Sequence, residues 1–314
     1  MTLLRSMLYF PANSVRMIVK STTLPADAVI LDLEDAVSLD DKETARMIAR
    51  DFIRLIKQRG IHVFVRVNSI ATDLTIEDLR STVVEGLDGV MLAKTETESD
   101  IARVCEMLKE AEKCSGVTPQ STQLIPLVES AKGVVNSLQI ASASDRVVAV
   151  AFGAGDYYRD LGRDVSSISK EQIELLYARS QIVNVSRATG VQAIDSPFLG
   201  SLTDKESYLR EVAMSAQLGF NGKQCIHPSQ IEPINNAFSP SRGEIERAGR
   251  IEEAFEQAQA RGLGVISFEG RMVDRMTYRQ AKEVLATART IDEKKRSMMQ
   301  KTPFVTVSEV FSRQ

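Results

Sequence analysis

Eight short, strongly apolar runs recur along the first 236 residues, and each is followed by a segment with helical spacing. The runs are Met7–Pro11, Ala28–Leu33, Val63–Val67, Gly89–Ala93, Gln123–Val128, Val147–Phe152, Val191–Ile194 and Gly222–Ile226. Most are rich in Val, Ile and Leu without clean polar alternation, as strands are when both faces are covered. The clearest intervening helix spans residues 40–56, with apolar side chains at 45, 48, 49, 52, 53 and 56. Its acids lie near the start and its bases towards the end, which complements the helix dipole. Eight strand–helix alternations are the arithmetic of a (β/α)8 TIM barrel. An open doubly wound sheet is the competing solution; the absence of G-x-G-x-x-G after the first strand weakens it.

The pattern changes after Asn236, which divides the chain into a barrel domain, residues 1–236, and a C-terminal helical extension, residues 237–314. Ser239 opens a helix that runs to about Arg261 and is ended by Gly262 and Gly264. A short segment from Val265 precedes a second helix from about Thr277 to Arg296, and residues 302–314 read as a tail. This part is too small to be an independent catalytic domain and reads as a lid or an oligomer arm.

A net charge of −3 gives no support for a nucleic-acid or anionic-membrane partner. No stretch approaches ~18 consecutive apolar residues, so no membrane span is expected, and the N-terminus lacks a signal-peptide core. Cys105, Cys114 and Cys225 are odd in number and show no C-x-x-C spacing, which argues against a zinc cluster or disulfide framework. The natural reading is a reducing, cytoplasmic compartment.

In a barrel, chemistry gathers at the C-terminal ends of the strands. Polar groups stand there repeatedly: Asp32, Glu34 and Asp35 after the second run, Arg66 and Asn68 at the third, and Lys94 after the fourth. Glu129, Asp156, Asp195 and His227 follow the next four. Glu129 and Asp156 come from adjacent strands and bring only oxygen, which suits Mg²⁺ or Mn²⁺ completed by waters; two solvated loop acids are the plainer alternative. Phe152-Gly-Ala-Gly-Asp156 offers either an anion pocket of backbone N–H groups or a simple tight turn. Arg66 and Asn68 share a strand face, so Arg66 either clamps a ligand oxygen or pairs with Glu34 or Asp35. Asp32 and Glu34 also share a face and need a cation or donors to offset their burial. Lys94 suggests an imine-forming lysine, but Thr95 and Glu96 beside it indicate a wetter, paired site. A lone strand-end histidine such as His227 is more often a structural hydrogen-bonding group.

Several of these stretches together resemble a known family. Arg5-Ser-Met-Leu-Tyr-Phe-Pro11, Asn13-Ser-Val-Arg16-Met with Lys20, Ala26 to Val37, Arg66-Val-Asn68 and Leu92-Ala-Lys-Thr-Glu96 stand in its order. So do Pro126-Leu-Val-Glu129, Phe152-Gly-Ala-Gly-Asp156, and Gly219-Phe-Asn-Gly-Lys223 running to Ile226-His-Pro228. The chain is similar to the citrate lyase β-subunit-like proteins of the HpcH/HpaI aldolase superfamily, which includes malyl-CoA and citramalyl-CoA lyases. That resemblance implies a barrel, a homotrimer or hexamer, and Mg²⁺-dependent cleavage or formation of a carbon–carbon bond in an acyl-CoA thioester, with a 2-oxo acid as co-product. It implies that Glu129 and Asp156 bind the metal, that Arg66 holds the substrate oxygen, and that Ala154, Gly155 and Glu34 contribute to substrate binding. Arg5, Arg16 and Lys20 resemble the basic residues that meet coenzyme A phosphates. Phe268-Glu-Gly-Arg-Met-Val-Asp274 resembles the C-terminal segment of stand-alone acyl-CoA lyases, in which the aspartate reaches a neighbouring subunit as acid or base. The family's usual proline after that aspartate is replaced by Arg275-Met276. The alternatives are a citryl-carrier-protein lyase subunit and an acyl-CoA-binding homologue without turnover.

Overall fold

The computed structural model describes residues 2–301, so the tail expected at 302–314 lies outside the described residues. The chain divides into two compact units, Thr2–Asn235 and Asn236–Lys301. The first is a closed parallel barrel of β1 (Ser6–Pro11), β2 (Ala28–Asp32), β3 (His62–Val67), β4 (Gly89–Leu92), β5 (Gln123–Val128), β6 (Ala149–Phe152), β7 (Gln192–Asp195) and β8 (Gly222–Cys225). β1 pairs with both β2 and β8, which closes the ring and leaves no free edge. The covering helices are α1 (Val15–Ser21), α2 (Lys42–Gln58), α3 (Leu74–Thr82), α4 (Glu98–Ser115), α5 (Ala131–Val135) and α6 (Ser137–Ser142). They continue with α7 (Ala154–Asp160), α8 (Ile173–Thr189), α9 (Lys205–Leu218) and α10 (Ile231–Ala237). No helix of the described residues is long and apolar enough to cross a membrane.

Each expected apolar run holds a strand of the barrel, with no end displaced by more than two residues. The run at Val147 starts late: Val147 makes only an isolated bridge to Leu124 before β6 begins at Ala149. Side chains alternate across each strand, so one parity fills the barrel and the other lies beneath the helices. The inward set below the mouth is apolar and fully buried: Met7, Ala28, Ile30, Phe64, Met91, Ile125, Ala149, Ala151 and Ile194. Outward residues such as Val29, Leu31, Val65 and Val150 are equally buried, which explains the unalternating sequence pattern. On α2 the predicted stripe is the buried one, with Ala45, Ala49, Phe52, Ile53 and Ile56 covered.

At the end of the barrel opposite the strand C-termini, Glu112 of α4 locks the turn before β5. Its carboxylate accepts from both Nη atoms of Arg146 at 2.7 and 2.8 Å, and from the Gln120 and Thr122 amides at 2.8 and 3.0 Å. Burial opposes ionisation, but Arg146 and the two backbone N–H groups outweigh it and hold Glu112 at about 2, well below the usual carboxylate range. A depressed folded-state pKa contributes stability that is present above the ordinary carboxylate range and lost as pH falls towards 2. Glu112→Ala, which also strands the buried Arg146 guanidinium, should therefore cost about 3–5 kcal/mol at neutral pH. Urea titrations of both proteins should show that gap narrowing by ~2–3 kcal/mol on acidification to about pH 2; a pH-independent gap contradicts the ionic origin.

The second unit contains α11 (Arg242–Gln259), the antiparallel hairpin β9 (Ile266–Phe268) and β10 (Arg271–Val273), and α12 (Arg275–Met299). Ser241 caps α11 through a reciprocal bond pair with Glu244. The hairpin was read from the sequence only as a short segment. Its turn residues Glu269 and Gly270 both have positive φ, at 52° and 73°, as the two-residue turns that match strand twist require. Ala248, Ile251, Phe255, Val273 and Ala281 form a small core, with Phe255 stacked on Tyr278 at 4.7 Å.

Candidate active site

The inward parity that packs the barrel turns polar, or on β6 to glycine, one layer nearer the mouth. Met7 is followed by Tyr9, Ile30 by Asp32, Phe64 by Arg66, Leu127 by Glu129, Ala151 by Gly153, and Gly222 by Gln224. Tyr9, Asp32, Arg66, Leu127, Glu129, Gly153 and Gln224 all line a cleft of about 1200 Å³. Strand periodicity therefore delivers one polar residue after another to one level of a closed ring.

Arg66 is held on two sides. Its Nε and Nη2 donate to Asp32 at 2.7 and 2.6 Å, and Nη1 lies 3.1 Å from Glu34. Its guanidinium sits over the Tyr9 ring, 5.0 Å from the centroid. The Tyr9 hydroxyl donates to Gln224 Oε1 at 2.7 Å, and Gln224 Nε2 donates to the carbonyls of Phe152 and Asp195. Asp32 is itself fixed by the amides of Glu34 and Ala36. Three of five guanidinium N–H groups face these two acids, so two remain to meet a ligand oxygen in the cleft.

Glu129 lies across the same layer. Lys94, in a left-handed conformation with φ 53°, turns its N–H onto Glu129 Oε1 at 2.8 Å. A Cβ at residue 153 would lie 2.5 Å from Glu129 Oε2, so glycine there leaves the room the carboxylate occupies. Burial and the negative charge of Asp156 push Glu129 up to about 8. Asp156 stands in the first turn of α7 and pairs with Arg159 at 2.6 Å. A buried carboxylate whose ionisation is opposed by a second carboxylate beside it fits a hard divalent cation, which would offset both charges. No group of three or more His, Cys, Asp or Glu able to hold a metal occurs among the described residues, which leaves the other coordination positions to water or ligand oxygens. Ala154 and Gly155 open α7 and line the cleft, where first-turn N–H groups lack intrahelical partners.

The outer wall carries Arg16 and Lys20, one turn apart on α1, with Arg159 and His227 also lining the cleft. Met17, Leu199 and Ile226 add apolar surface between them. Ser229 N–H donates to His227 Nδ1 at 3.2 Å.

Several expectations need correction. Arg5 does not reach the cleft: it precedes β1 at the opposite end of the barrel, buried, with its Nε and Nη2 on Asp27 at 2.8 and 2.9 Å. A strand's first residue and its last lie at opposite barrel ends, and Arg5 is on the wrong one for a mouth-bound phosphate. Glu34 does not line the cleft either; it stands behind Arg66 and pairs with Lys94. Asn68 leaves the Arg66 face because β3 ends at Val67, and its amide turns to Asp78, the Leu33 carbonyl and Lys42. Lys94, by contrast, is the paired lysine expected: burial alone would lower its pKa, but the Glu34 and Asp35 carboxylates outweigh it and raise it, the reverse of what an imine-forming lysine needs.

Asp195 has outward parity and is absorbed by a fully buried network, Arg179 at 3.0 Å and Lys223 at 2.7 Å, with Glu211 2.6 Å from Lys223. In the second unit, Asp274 is the N-cap of α12 and accepts from the Thr277 amide and hydroxyl, both at 2.9 Å. Those bonds hold it below the usual carboxylate range, as an ionised acceptor. Tyr9 and Gln224 were missed by sequence reading; polarity at inward parity within an apolar run is the signal that marks them.

Comparison with known proteins bears on the family and the fold. The model of the family HpcH/HpaI aldolase/citrate lyase matches residues 5–228. Citrate lyase subunit beta of Haemophilus influenzae is 38% identical over 290 residues, covering 92% of this chain and 98% of that protein. Human mitochondrial citramalyl-CoA lyase is 33% identical over 300 residues, covering 92% and 87%. The crystal structure of protein CitE from Mycobacterium tuberculosis in complex with magnesium, acetoacetate and coenzyme A aligns with a TM-score of 0.71 at 32% identity, covering 90% and 97%. With the match spanning the barrel and these relatives aligned over most of their length, the chain belongs to the HpcH/HpaI aldolase/citrate lyase family.

Proposed function

We propose that the chain is a Mg²⁺-dependent carbon–carbon lyase that cleaves or forms a malyl-CoA or citramalyl-CoA type thioester, with acetyl-CoA and a 2-oxo acid as the other side of the reaction. The observation that supports it most is the single inward layer in which Arg66 and Glu129 face one cleft with Asp156 at its rim. Glu129 and Asp156 would hold the metal, which when bound supplies Lewis-acid polarisation of substrate oxygens. Arg66 donates its two remaining N–H groups to the oxygen on which charge develops as the bond breaks. The first-turn N–H groups of Ala154 and Gly155 take the carboxylate of the 2-oxo acid. Arg16 and Lys20, on the outer wall, meet the phosphates of coenzyme A. Asp274, contributed by a neighbouring chain of a homotrimer or hexamer, removes a proton from the thioester α-carbon in condensation and returns it in cleavage. Its ionised, Thr277-bonded state suits the proton-removing direction.

A second reading, a citryl-carrier-protein lyase subunit, is favoured by the 38% identity to citrate lyase subunit beta. Incubating the protein with malyl-CoA and with (R)- and (S)-citramalyl-CoA, with Mg²⁺ or EDTA, and following products by mass spectrometry separates the two. Metal-dependent release of acetyl-CoA with glyoxylate or pyruvate is the expected result; turnover of only a carrier-linked citryl thioester would move the assignment to the second reading. In the same assay Asp274→Asn, which keeps the helix cap but removes the charge, should lower kcat about a hundredfold. Unaltered turnover would remove Asp274 from the mechanism.

A further inference from the structure

We propose that Tyr9 and Gln224 are positioning residues that lock the plane of Arg66 and tie it to the strand end preceding the Gly153–Asp156 turn, an inference that rests on the lyase reading above. Asp32 and Glu34 hold the guanidinium through its edges, and neither acid covers its face. The face is covered by the Tyr9 ring, 5.0 Å from centroid to Cζ. The ring is in turn fixed by its hydroxyl, 2.7 Å from Gln224 Oε1 and 3.0 Å from Met91 Sδ. With one proton to give, the hydroxyl donates to the amide oxygen, the better acceptor, and the sulfur packs beside it. Gln224 has no freedom to follow Tyr9 if it moves. Its Nε2 is spent on the carbonyls of Phe152, at 2.9 Å, and Asp195, at 3.1 Å, the last residues of β6 and β7.

The chain Arg66–Tyr9–Gln224–Phe152 therefore crosses the barrel from β3 through β1 and β8 to β6. It joins the residue that would meet the developing negative charge to the strand whose next residues are Gly153, Ala154, Gly155 and Asp156. Both Tyr9 and Gln224 line the cleft, yet neither carries a charge or a nucleophile suited to the reaction. Burial also pushes the Tyr9 phenol above its ordinary pKa, so it stays a neutral donor. A fixed donor array is what electrostatic stabilisation of a transition state requires, because reorientation during the reaction would cost the energy it is meant to supply.

The test is Tyr9→Phe, which keeps the ring and removes the hydroxyl, with Gln224→Asn, which shortens the amide arm, as an independent second variant. The Arg66 Nε–H signal is observed by ¹H–¹⁵N NMR and assigned by its loss in Arg66→Lys. In either variant its exchange with solvent should accelerate roughly tenfold, the scale of one lost buried hydrogen bond. Turnover of the thioester identified above should fall by a similar factor in kcat with KM within about twofold, the pattern of an interaction felt in the transition state. A urea midpoint close to that of the parent protein separates this from loss of fold. Unchanged Arg66 Nε–H exchange in both variants would overturn the proposal whatever the activity. Faster exchange in a protein that shows no lyase turnover at all would sustain the positioning role and sink the lyase reading instead.

Discussion

Glu129→Gln is expected to lower Mg²⁺-dependent turnover by roughly 10³-fold, since a Lewis-acid contribution of several kcal/mol converts at about 1.4 kcal/mol per tenfold. Glutamine keeps the shape and can still accept from the Lys94 amide, so the protein should fold. A second readout is independent of turnover. In the metal-free protein burial and Asp156 raise the Glu129 pKa to about 8. A carboxyl raised in the folded state costs stability as pH climbs from the ordinary carboxylate range through that value, and a bound cation offsets the cost. Mg²⁺ should therefore raise the Tm of the parent protein more at about pH 8.5 than at about pH 6.5. The increment should vanish in Glu129→Gln. An equal Mg²⁺ shift in both proteins would place the cation elsewhere.

A stability effect as large as that at Glu112 is expected at Lys223, whose side chain does not line the cleft. Its Nζ donates to Asp195, Glu211 and the Ser196 carbonyl, at 2.7, 2.6 and 2.7 Å, with no solvent exposure. Arg179 completes a network of two positive and two negative groups, and Ser215 donates to Asp195 as well. Lys223→Met leaves two carboxylates sharing one guanidinium inside the protein, which should cost about 3–5 kcal/mol by urea unfolding. Lys223→Met with Asp195→Asn removes one charge of each sign and should recover part of that loss. A double variant worse than the sum of the singles would show that shape, not charge balance, is what the network supplies.

Much of this architecture is legible in the sequence, and parity explains which parts are. Arg66 and Glu129 directly continue apolar runs at inward positions, so reading the ends of the runs locates them. Asp195 follows Ile194 by one residue, and that single step turns it outward to α8 and α9, a distinction that a list of strand-end acids does not contain. Asn68 shows the converse failure: alternation ceases to predict direction once the strand has ended. Arg5 needed knowledge of which barrel end it occupies, and that depends on where the first strand begins. Tyr9 and Gln224 escaped because a tyrosine or glutamine inside an apolar run passes for strand composition until partners from β3 and β6 are in view. Asp274 reads as a helix N-cap from its local sequence, and its geometry is that of a cap; its chemical role rests on the family resemblance.

The ring closure between β1 and β8 has a consequence for the chain during its synthesis. Ser6, Met7 and Leu8 pair with Lys223, Gln224 and Cys225, partners separated by almost the whole barrel sequence. Until Gln224 has left the ribosome, Tyr9 lacks its acceptor and the polar layer is open on one side. A nascent or truncated chain ending before β8 could hold Arg66, Glu129 and Asp156 and still present them to no common cleft. Because such a long-range contact is slow to form, recovery of the proposed lyase activity after dilution from denaturant should lag the recovery of helical signal. The proposed turnover would then serve as a clock for the final seam of the barrel.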